Sequence, residues 1–190
     1  HEQQVAAIAA TEFPQLAVSL SSVVVGEIRE YERTVTTCAN AYVRPLMDRY
    51  IARLEDGLGR AGFRGRLLLM QSSGALASPA LARVMPISLL ESGPAGGALA
   101  SALFGKGAGL ADMLAFDMGG TTAKACMIED GRADIAASME VARVHRFKRG
   151  SGLPIKSPVI DMIEIGAGGG LVAQVDALGQ VYRLRDVADF

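Results

Sequence analysis

The stretch LAFDMGGTTAKACMIEDG, residues 114–131, decides how the second half of the chain is interpreted. An apolar strand delivers Asp117 straight into a turn, and a second strand leaves the turn. Four small or hydroxyl-bearing residues make up the turn: Gly119, Gly120, Thr121 and Thr122. Glycine lets successive backbone N–H groups approach a bulky anion, and threonine hydroxyls can donate to phosphate oxygens. The pattern predicts a phosphate-binding turn, with an ordinary Asp/Gly hairpin as the alternative.

Asp117 is the acidic residue at the end of the incoming strand. A carboxylate gains nothing from touching phosphate directly, but it can hold Mg²⁺ through water, because Mg²⁺ keeps most of its hydration shell. Asp117 is therefore predicted to be both a catalytic residue and the metal-binding residue of this site.

A second candidate segment, ESGPAGGALASALFG, lies earlier at residues 91–105. It combines a strand end, the carboxylate of Glu91 and a helix of small residues over 95–104. Small side chains suit a helix that packs closely in a core, and they equally suit a close approach of backbone to ligand. Both interpretations can hold together.

A third segment, IEIGAGGG at residues 163–170, follows a predicted strand. More β-like sequence comes after it and no amphipathic helix opens there, so a dinucleotide-binding fingerprint is rejected. The glycine density predicts either contact with a ligand or another backbone, or a structural bulge. Gly168 and Gly169 are the candidates for nucleotide contact in this segment.

The first half of the chain alternates strands and helices, which predicts an α/β layer. The expected helices cover residues 1–10, 38–62, 79–84 and 95–104, with a linker or surface arm over 26–36. The expected strands cover residues 16–25, 66–71, 86–91, 113–117, 122–129, 132–138, 159–165, 171–175 and 181–184. Residues 139–158 are expected to be extended and irregular.

Composition excludes several classes of protein. The 190 residues carry 19 basic and 20 acidic side chains, which gives a net charge of −1 and no basic stripe for binding nucleic acid. Glycine, serine or charged residues interrupt every long apolar stretch, so no membrane span and no signal peptide are predicted. Cys38 and Cys126 lack metal-ligand spacing, so they are predicted to be reduced, buried thiols of a cytoplasmic protein.

Three segments, in this order and spacing, resemble the hydantoinase A/5-oxoprolinase family: SGPAGG (92–97), FDMGGTT (116–122) and EIGAGGG (164–170). The segments Val18–Tyr42 and Leu67–Leu76 also resemble its pattern, so the similarity covers nearly the whole chain. That family includes N-methylhydantoinase A, other ATP-dependent cyclic-amide hydrolases and related subunits of acetone- and acetophenone-type carboxylases.

The resemblance implies an α/β fold of the actin-like ATPase (ribonuclease H-like) type, with ATP and Mg²⁺ as cofactors. Residues 1–108 would form the end of the first ATPase lobe with its crossing helix, and residues 109–190 the beginning of the second lobe with its phosphate hairpin. The family's earlier phosphate hairpin and later adenosine segment are missing from this sequence. Since the chain opens at His1 without methionine and stops at Phe190 without a turn or tail, an internal fragment is expected.

The resemblance also implies a reaction and partners. The expected function is a part of an enzyme that uses ATP to hydrolyse cyclic amides or imides, with Glu91 ordering a second metal-bound water. Its partners would be the remainder of the polypeptide, a hydantoinase B-like second subunit and a small-molecule substrate. A subunit of an ATP-dependent ketone carboxylase is the first alternative. An actin-like nucleotide switch or assembly module without substrate chemistry is another.

Two further residues, Lys124 and His145, are candidates for contact with an anion. The family's hairpin often continues D-M-G-G-T-S-T-D, and Lys124 stands where the second acid would be, so a metal role for that position fails. Lys124 either contacts phosphate or projects into solvent, and solvent is the favoured prediction. His145 lies among basic residues, and a solvated basic loop is favoured there over an anion or subunit-docking site.

Overall fold

The computed structural model describes residues 1–145, 150–166, 168–175, 178 and 181–186. It divides into two compact units. Unit 1 comprises His1–Ala95 and Ile135–Val159, and unit 2 comprises Gly96–Asp134 and Ile160–Phe190.

The described part of the chain contains the following helices: α1 Glu2–Glu12, α2 Ser21–Val24, α3 Glu30–Arg60, α4 Pro79–Val84, a 3₁₀-helix at Pro86–Leu89, and α5 Ser92–Gly107. Its strands are β1 Leu69–Met70, β2 Leu76–Ala77, β3 Met113–Met118, β4 Ala123–Glu129, β5 Arg132–Ala133, β6 Ile135–Ala136, β7 Met139–Val141, β8 Leu153–Ile155, β9 Val159–Ile160, β10 Ile163–Ile165, β11 Leu171–Val175 and β12 Val181–Asp186. The mixed α/β class predicted from sequence is confirmed.

Helix α3 is longer than the sequence predicted, because residues 30–36 are helical and not a linker. Glu30 and Glu32 lie in its first turn, where carboxylates interact favourably with the helix dipole. Thr36 lies inside the helix, and its Oγ1 donates to the carbonyl of Glu32 at 2.7 Å. The C-terminal end of α3 at Arg60 lies two residues before the predicted end, and Gly62 follows with φ 77°.

Two strands predicted in unit 1 are wrong. Residues 16–25 contain the helical turn α2, because the Glu2 carboxylate accepts the N–H of Ser22 at 2.9 Å and the Ser21 hydroxyl. These bonds lower the pKa of Glu2 to about 2. Residues 86–91 begin with a 3₁₀-helix, where Pro86 at the first helical position favours a helical turn over a strand. Both segments are rich in apolar residues, which is why they resemble strands in the sequence.

Asn40 is a buried polar centre of unit 1, with none of its surface exposed. Its Nδ2 donates to the Val84 carbonyl at 3.0 Å and to Ser19 Oγ at 3.1 Å. Its Oδ1 accepts the N–H of Ile87 at 3.2 Å. One amide on α3 therefore holds the ends of α4 and the 3₁₀-helix, which is why this polar side chain is found inside an apolar core.

Replacing Asn40 by alanine is expected to lower the free energy of unfolding by about 3 kcal/mol, because the buried Ile87 N–H and Val84 carbonyl would lose their partner. Arg49→Ala, at an exposed position on the same helix, is the matched control and should change stability by less than about 0.5 kcal/mol. Chemical denaturation of the two variants decides this, and equal midpoints would contradict it.

A small apolar core joins separate segments of unit 1. Val24 and Val25 pack with Ile87 and Ile155, and neighbouring apolar side chains of α3 and β7 cover them. Within residues 139–158, expected to be extended and irregular, the strands β7 and β8 pair antiparallel, with Met139 opposite Ile155. Thr36 fastens this strand pair to α3, since its Oγ1 accepts the N–H of Lys156 at 2.8 Å.

Unit 2 is built on an antiparallel sheet in the order β10–β4–β3, with β5 also paired to β4. Ile128 and Cys126 on β4 are almost completely buried. Gly105 of α5 lies so close to the side chain of Met113 that any Cβ would overlap it. Part of the small-residue composition of α5 thus serves close packing against β3, as one of the two sequence interpretations predicted.

The two cysteines differ in exposure. Cys126 is buried and free, and burial raises the pKa of its thiol, with the charges of Asp161 and Asp134 adding to the effect. Cys38 is free but exposed, so the prediction that both thiols are buried is wrong for Cys38. None of the described helices combines the length and the apolarity needed to cross a membrane.

Candidate functional site

The predicted turn joins β3 to β4, as the sequence indicated. Asp117 pairs with Lys124 and Met118 pairs with Ala123, and the four-residue turn 119–122 closes the hairpin. The N–H of Gly119 donates to the carbonyl of Thr122 at 2.9 Å, which ties the two ends of the turn together.

The glycine run, residues 166–170, follows β10 in the sequence. Its residues Gly168, Gly169 and Gly170 lie directly against the turn. The N–H of Gly169 donates to the carbonyl of Gly119, and the N–H of Gly170 donates to that of Gly120, both at 2.9 Å. A Cβ on Gly168 would lie 2.6 Å from the backbone carbon and oxygen of Gly120, closer than atoms can pack. The glycine at 168 is therefore required by contact with another backbone, one of the alternatives the sequence left open.

This contact decides which atoms of the turn remain available. The carbonyl oxygens of Gly119 and Gly120, which would repel a phosphate, are occupied by the glycine run. The N–H groups of Gly120 and Thr121 donate to no residue in the described part of the chain, and both residues are exposed. A Cβ on Gly120 would meet nothing within 4 Å, so protein packing does not require glycine there.

Asp117 lies at the end of β3 with an exposed side chain, two residues before the turn. Within the described ranges, no three His, Cys, Asp or Glu side chains cluster as a ready-made metal site. A single carboxylate beside a phosphate-binding turn suits Mg²⁺, which commonly takes one or two protein carboxylates, phosphate oxygens and water. The donor set therefore fits the predicted cation.

Lys124 does not project into solvent, so the favoured prediction for it is wrong. Its side chain is only 13% exposed, and its Nζ lies 4.0 Å from Oε1 of Glu164. In the sequence analysis, Glu164 is only part of the segment that leads into the glycine run, and no role was predicted for it. The partnership depends on the register of β10 against β4, which pairs Glu164 with Lys124. Their opposite charges were the only signal available in the sequence.

Glu91 belongs to unit 1, immediately before α5. Its φ is 62°, in the left-handed region that non-glycine residues rarely occupy, and its carbonyl accepts the N–H of Ala95 at 3.1 Å. Its side chain is half-buried. The role of Glu91 beside a metal-bound water stays a prediction.

His145 is exposed, and its backbone is held by Ser151, whose hydroxyl donates to the His145 carbonyl at 2.9 Å. Arg143 pairs with Glu140 at 3.2 Å. The remaining basic residues of this segment, 146–149, lie outside the described residues. The described portion agrees with a solvated loop.

Unit 1 also contains a groove of about 480 Å³ between α3 and residues 67–70. Apolar side chains such as Leu46 and Tyr50 line it, and none of its lining residues is charged. A groove of this composition does not suit a triphosphate.

The mixed α/β fold of this chain matches the solved structure of an ATP-dependent enzyme. The crystal structure of the ATP-dependent caprolactamase from Pseudomonas jessenii superposes with a TM-score of 0.73 at 31% sequence identity, covering 95% of this chain and 25% of that one. The sequence of the caprolactamase subunit alpha from the same organism is 31% identical over 181 residues.

Sequence comparison then identifies the family. The hydantoinase/oxoprolinase family matches residues 33–188, and the chain belongs to this family. An uncharacterized protein of Methanocaldococcus jannaschii is 44% identical over 153 residues, which is 79% of this chain and 22% of that protein. The acetophenone carboxylase gamma subunit of Aromatoleum aromaticum is 30% identical over 195 residues, covering 94% of this chain and 24% of that subunit. The chain spans about a quarter of the length of these relatives.

Proposed function

We propose that this chain is part of an ATP-dependent enzyme of the hydantoinase/5-oxoprolinase type, and that its turn at residues 119–122 binds the terminal phosphates of ATP. The observation that carries the proposal is the orientation of the turn. The carbonyls of Gly119 and Gly120 are bonded to the glycine run, whereas the N–H groups of Gly120 and Thr121 donate to no residue in the described part of the chain, and both residues are exposed. Successive free N–H groups form a concave site for an anion.

Asp117 would hold Mg²⁺ through water beside the bound phosphates, since its exposed carboxylate precedes the turn by two residues. The cation would neutralise charge that develops on the transferred phosphoryl group. The hydroxyls of Thr121 and Thr122 would donate to phosphate oxygens. Gly168 and Gly169 would support the turn from the other side, and Glu91 would order a second metal-bound water.

The proposed architecture is the actin-like, ribonuclease H-like ATPase fold, with residues 1–108 ending the first lobe and residues 109–190 beginning the second. An exposed apolar face of the unit 2 sheet is evidence that this chain is covered by further protein. Leu114, Phe116, Met127 and Ile163 share one face of the unit 2 sheet, and each is more than half exposed. An apolar face of this kind requires a cover, which the remainder of the polypeptide would supply.

The proposed reaction is hydrolysis of a cyclic amide or imide, the class to which the name caprolactamase points. Transfer of the terminal phosphoryl group from ATP to the poorly reactive carbonyl oxygen would release ADP and make the carbonyl carbon more electrophilic. Water would then add to that carbon, the ring C–N bond would break with a proton passing to the nitrogen, and a second water would release phosphate from the acyl phosphate that remains. The similarity to an acetophenone carboxylase subunit supports ketone carboxylation as the second candidate. Both relatives are named as subunits, which supports a partner subunit of the hydantoinase B type. We also propose that the enzyme and its partner subunit are cytoplasmic.

The Gly120→Ala variant of the full-length protein tests the phosphate-binding role. The added methyl group would meet no protein atom within 4 Å, so stability should stay within about 0.5 kcal/mol of the parent. The same methyl group would stand on the turn proposed to bind the phosphates and would crowd a bound nucleotide, so affinity for Mg·ATP should fall about tenfold or more. Isothermal titration calorimetry measures the affinity, and thermal denaturation measures the stability.

Gly107→Ala is the matched control, because its Cβ also meets nothing within 4 Å and it lies at the end of α5 rather than in the turn. We expect it to leave ATP affinity unchanged. If Gly120→Ala binds ATP as well as the Gly107→Ala control, the turn does not hold the phosphates.

A further inference from the structure

Three charged residues form a row across the unit 2 sheet. Asp117 on β3 pairs directly with Lys124 on β4, and Lys124 pairs directly with Glu164 on β10. Directly paired residues of antiparallel strands point to the same face and are cross-strand neighbours. The row therefore alternates in charge, with one ammonium between two carboxylates.

The middle member is withdrawn from water. The Lys124 side chain is 13% exposed, whereas that of Glu164 is 56% exposed, and Nζ of Lys124 lies 4.0 Å from Oε1 of Glu164. Lysine is almost never so buried unless neighbouring groups compensate its charge. Glu164 is one such group, and Asp117 is only the cross-strand neighbour of Lys124 on the other side.

The row also lies next to the two glycine-rich segments, the turn 119–122 and the glycine run. Asp117 precedes the turn by two residues, and Glu164 precedes the glycine run by two residues. Beyond the row, Gly169 and Gly170 donate to the carbonyls of the turn. An attraction that holds β10 to β4 at this level also holds the glycine run in reach of the turn.

We propose that Lys124 is a positioning residue, whose ammonium keeps β10 and the glycine run docked on the turn 119–122 and so keeps the N–H groups of the turn facing outward. Lys124 acts through Glu164 and the backbone and does not itself touch the nucleotide. The docking part of the proposal stands on contacts within unit 2. The consequence for ATP rests on the proposed function.

The test uses the full-length protein with Lys124→Met, which keeps the length of the side chain and removes its charge. Hydrogen exchange, read by mass spectrometry with fragmentation inside peptides covering 163–170, should become about tenfold faster at the amides of Gly169 and Gly170. The KM for Mg·ATP should rise about tenfold, while kcat changes less than about threefold. Lys124→Arg should restore both quantities, because it returns the positive charge.

Glu164→Gln removes the partner charge at the exposed end of the pair, and it keeps the test available if Lys124→Met does not fold. It should accelerate the same two amides by a smaller factor. Unchanged exchange at Gly169 and Gly170 in the charge-neutral variants overturns the proposal. Weaker ATP binding with unchanged exchange also overturns it, since Lys124 would then contact the nucleotide directly. Faster exchange with unchanged ATP affinity confirms the docking role, and contradicts instead the phosphate-binding role of the turn.

Discussion

Replacing Asp117 by alanine in the full-length protein is expected to lower Mg·ATP-dependent turnover by at least about a hundredfold, while the fold stays intact. The carboxylate is exposed at the end of β3, so the fold does not depend on its burial. Its loss would remove the carboxylate proposed to hold the water shell of the cation beside the phosphates, where charge stabilisation contributes most to phosphoryl transfer. Steady-state kinetics with coupled detection of ADP measure the effect.

Glu129→Gln provides the control for Asp117→Ala. It removes an exposed carboxylate from the far end of the adjacent strand β4, and turnover should be unchanged. The dependence of the turnover rate on Mg²⁺ concentration gives a second measurement. The rate of the alanine variant should not saturate at the Mg²⁺ concentrations that saturate the parent enzyme. Parental turnover in Asp117→Ala would remove this residue from the proposed site.

Replacing Gly168 by alanine is expected to have the second large effect, on stability and on ATP binding together. The new Cβ would lie 2.6 Å from the backbone of Gly119 and Gly120, and a backbone obstacle cannot rotate away. Overpacking of this kind, with loss of the two hydrogen bonds that follow it, should cost about 3 kcal/mol of unfolding free energy. ATP affinity should fall with it, since the turn would lose its support.

The neighbouring glycine supplies a close control for Gly168→Ala. A Cβ on Gly169 would lie 3.8 Å from the carbonyl oxygen of Gly119, which is ordinary contact, so Gly169→Ala should be nearly neutral. Chemical denaturation and calorimetric titration of the pair separate the two positions. Equal stability of the two variants would show that the glycine run does not need its close approach at residue 168.

Local sequence predicted the hairpin of unit 2 well. The apolar strand up to Asp117 and the glycine-rich turn lie where expected, and Asp130 and Gly131 lie between β4 and β5, the strands that they join. Asp130 and Gly131 both have positive φ, the conformation that a tight hairpin turn requires. Each of these features depends on neighbours in the chain, so sequence alone could predict them.

Other segments could not be predicted because distant residues decide them. Residues 21–24 form a helical turn because the Glu2 carboxylate, 20 positions earlier in the chain, accepts the N–H of Ser22. The 3₁₀-helix at 86–89 is held by Asn40 of α3. Both segments are apolar in composition, but apolar composition alone does not distinguish a strand from a helical turn.

The sequence by itself determined the family, the mixed α/β class, and the turn with Asp117 at its edge, because these follow from residue types in fixed local order. Only the tertiary structure decided that the glycine run supports this turn, and that Lys124 is buried beside Glu164 instead of solvated. The physical reason is the register of β10 on β4. It brings residues some forty positions apart into contact, and no local pattern specifies which residue of one strand faces which residue of another.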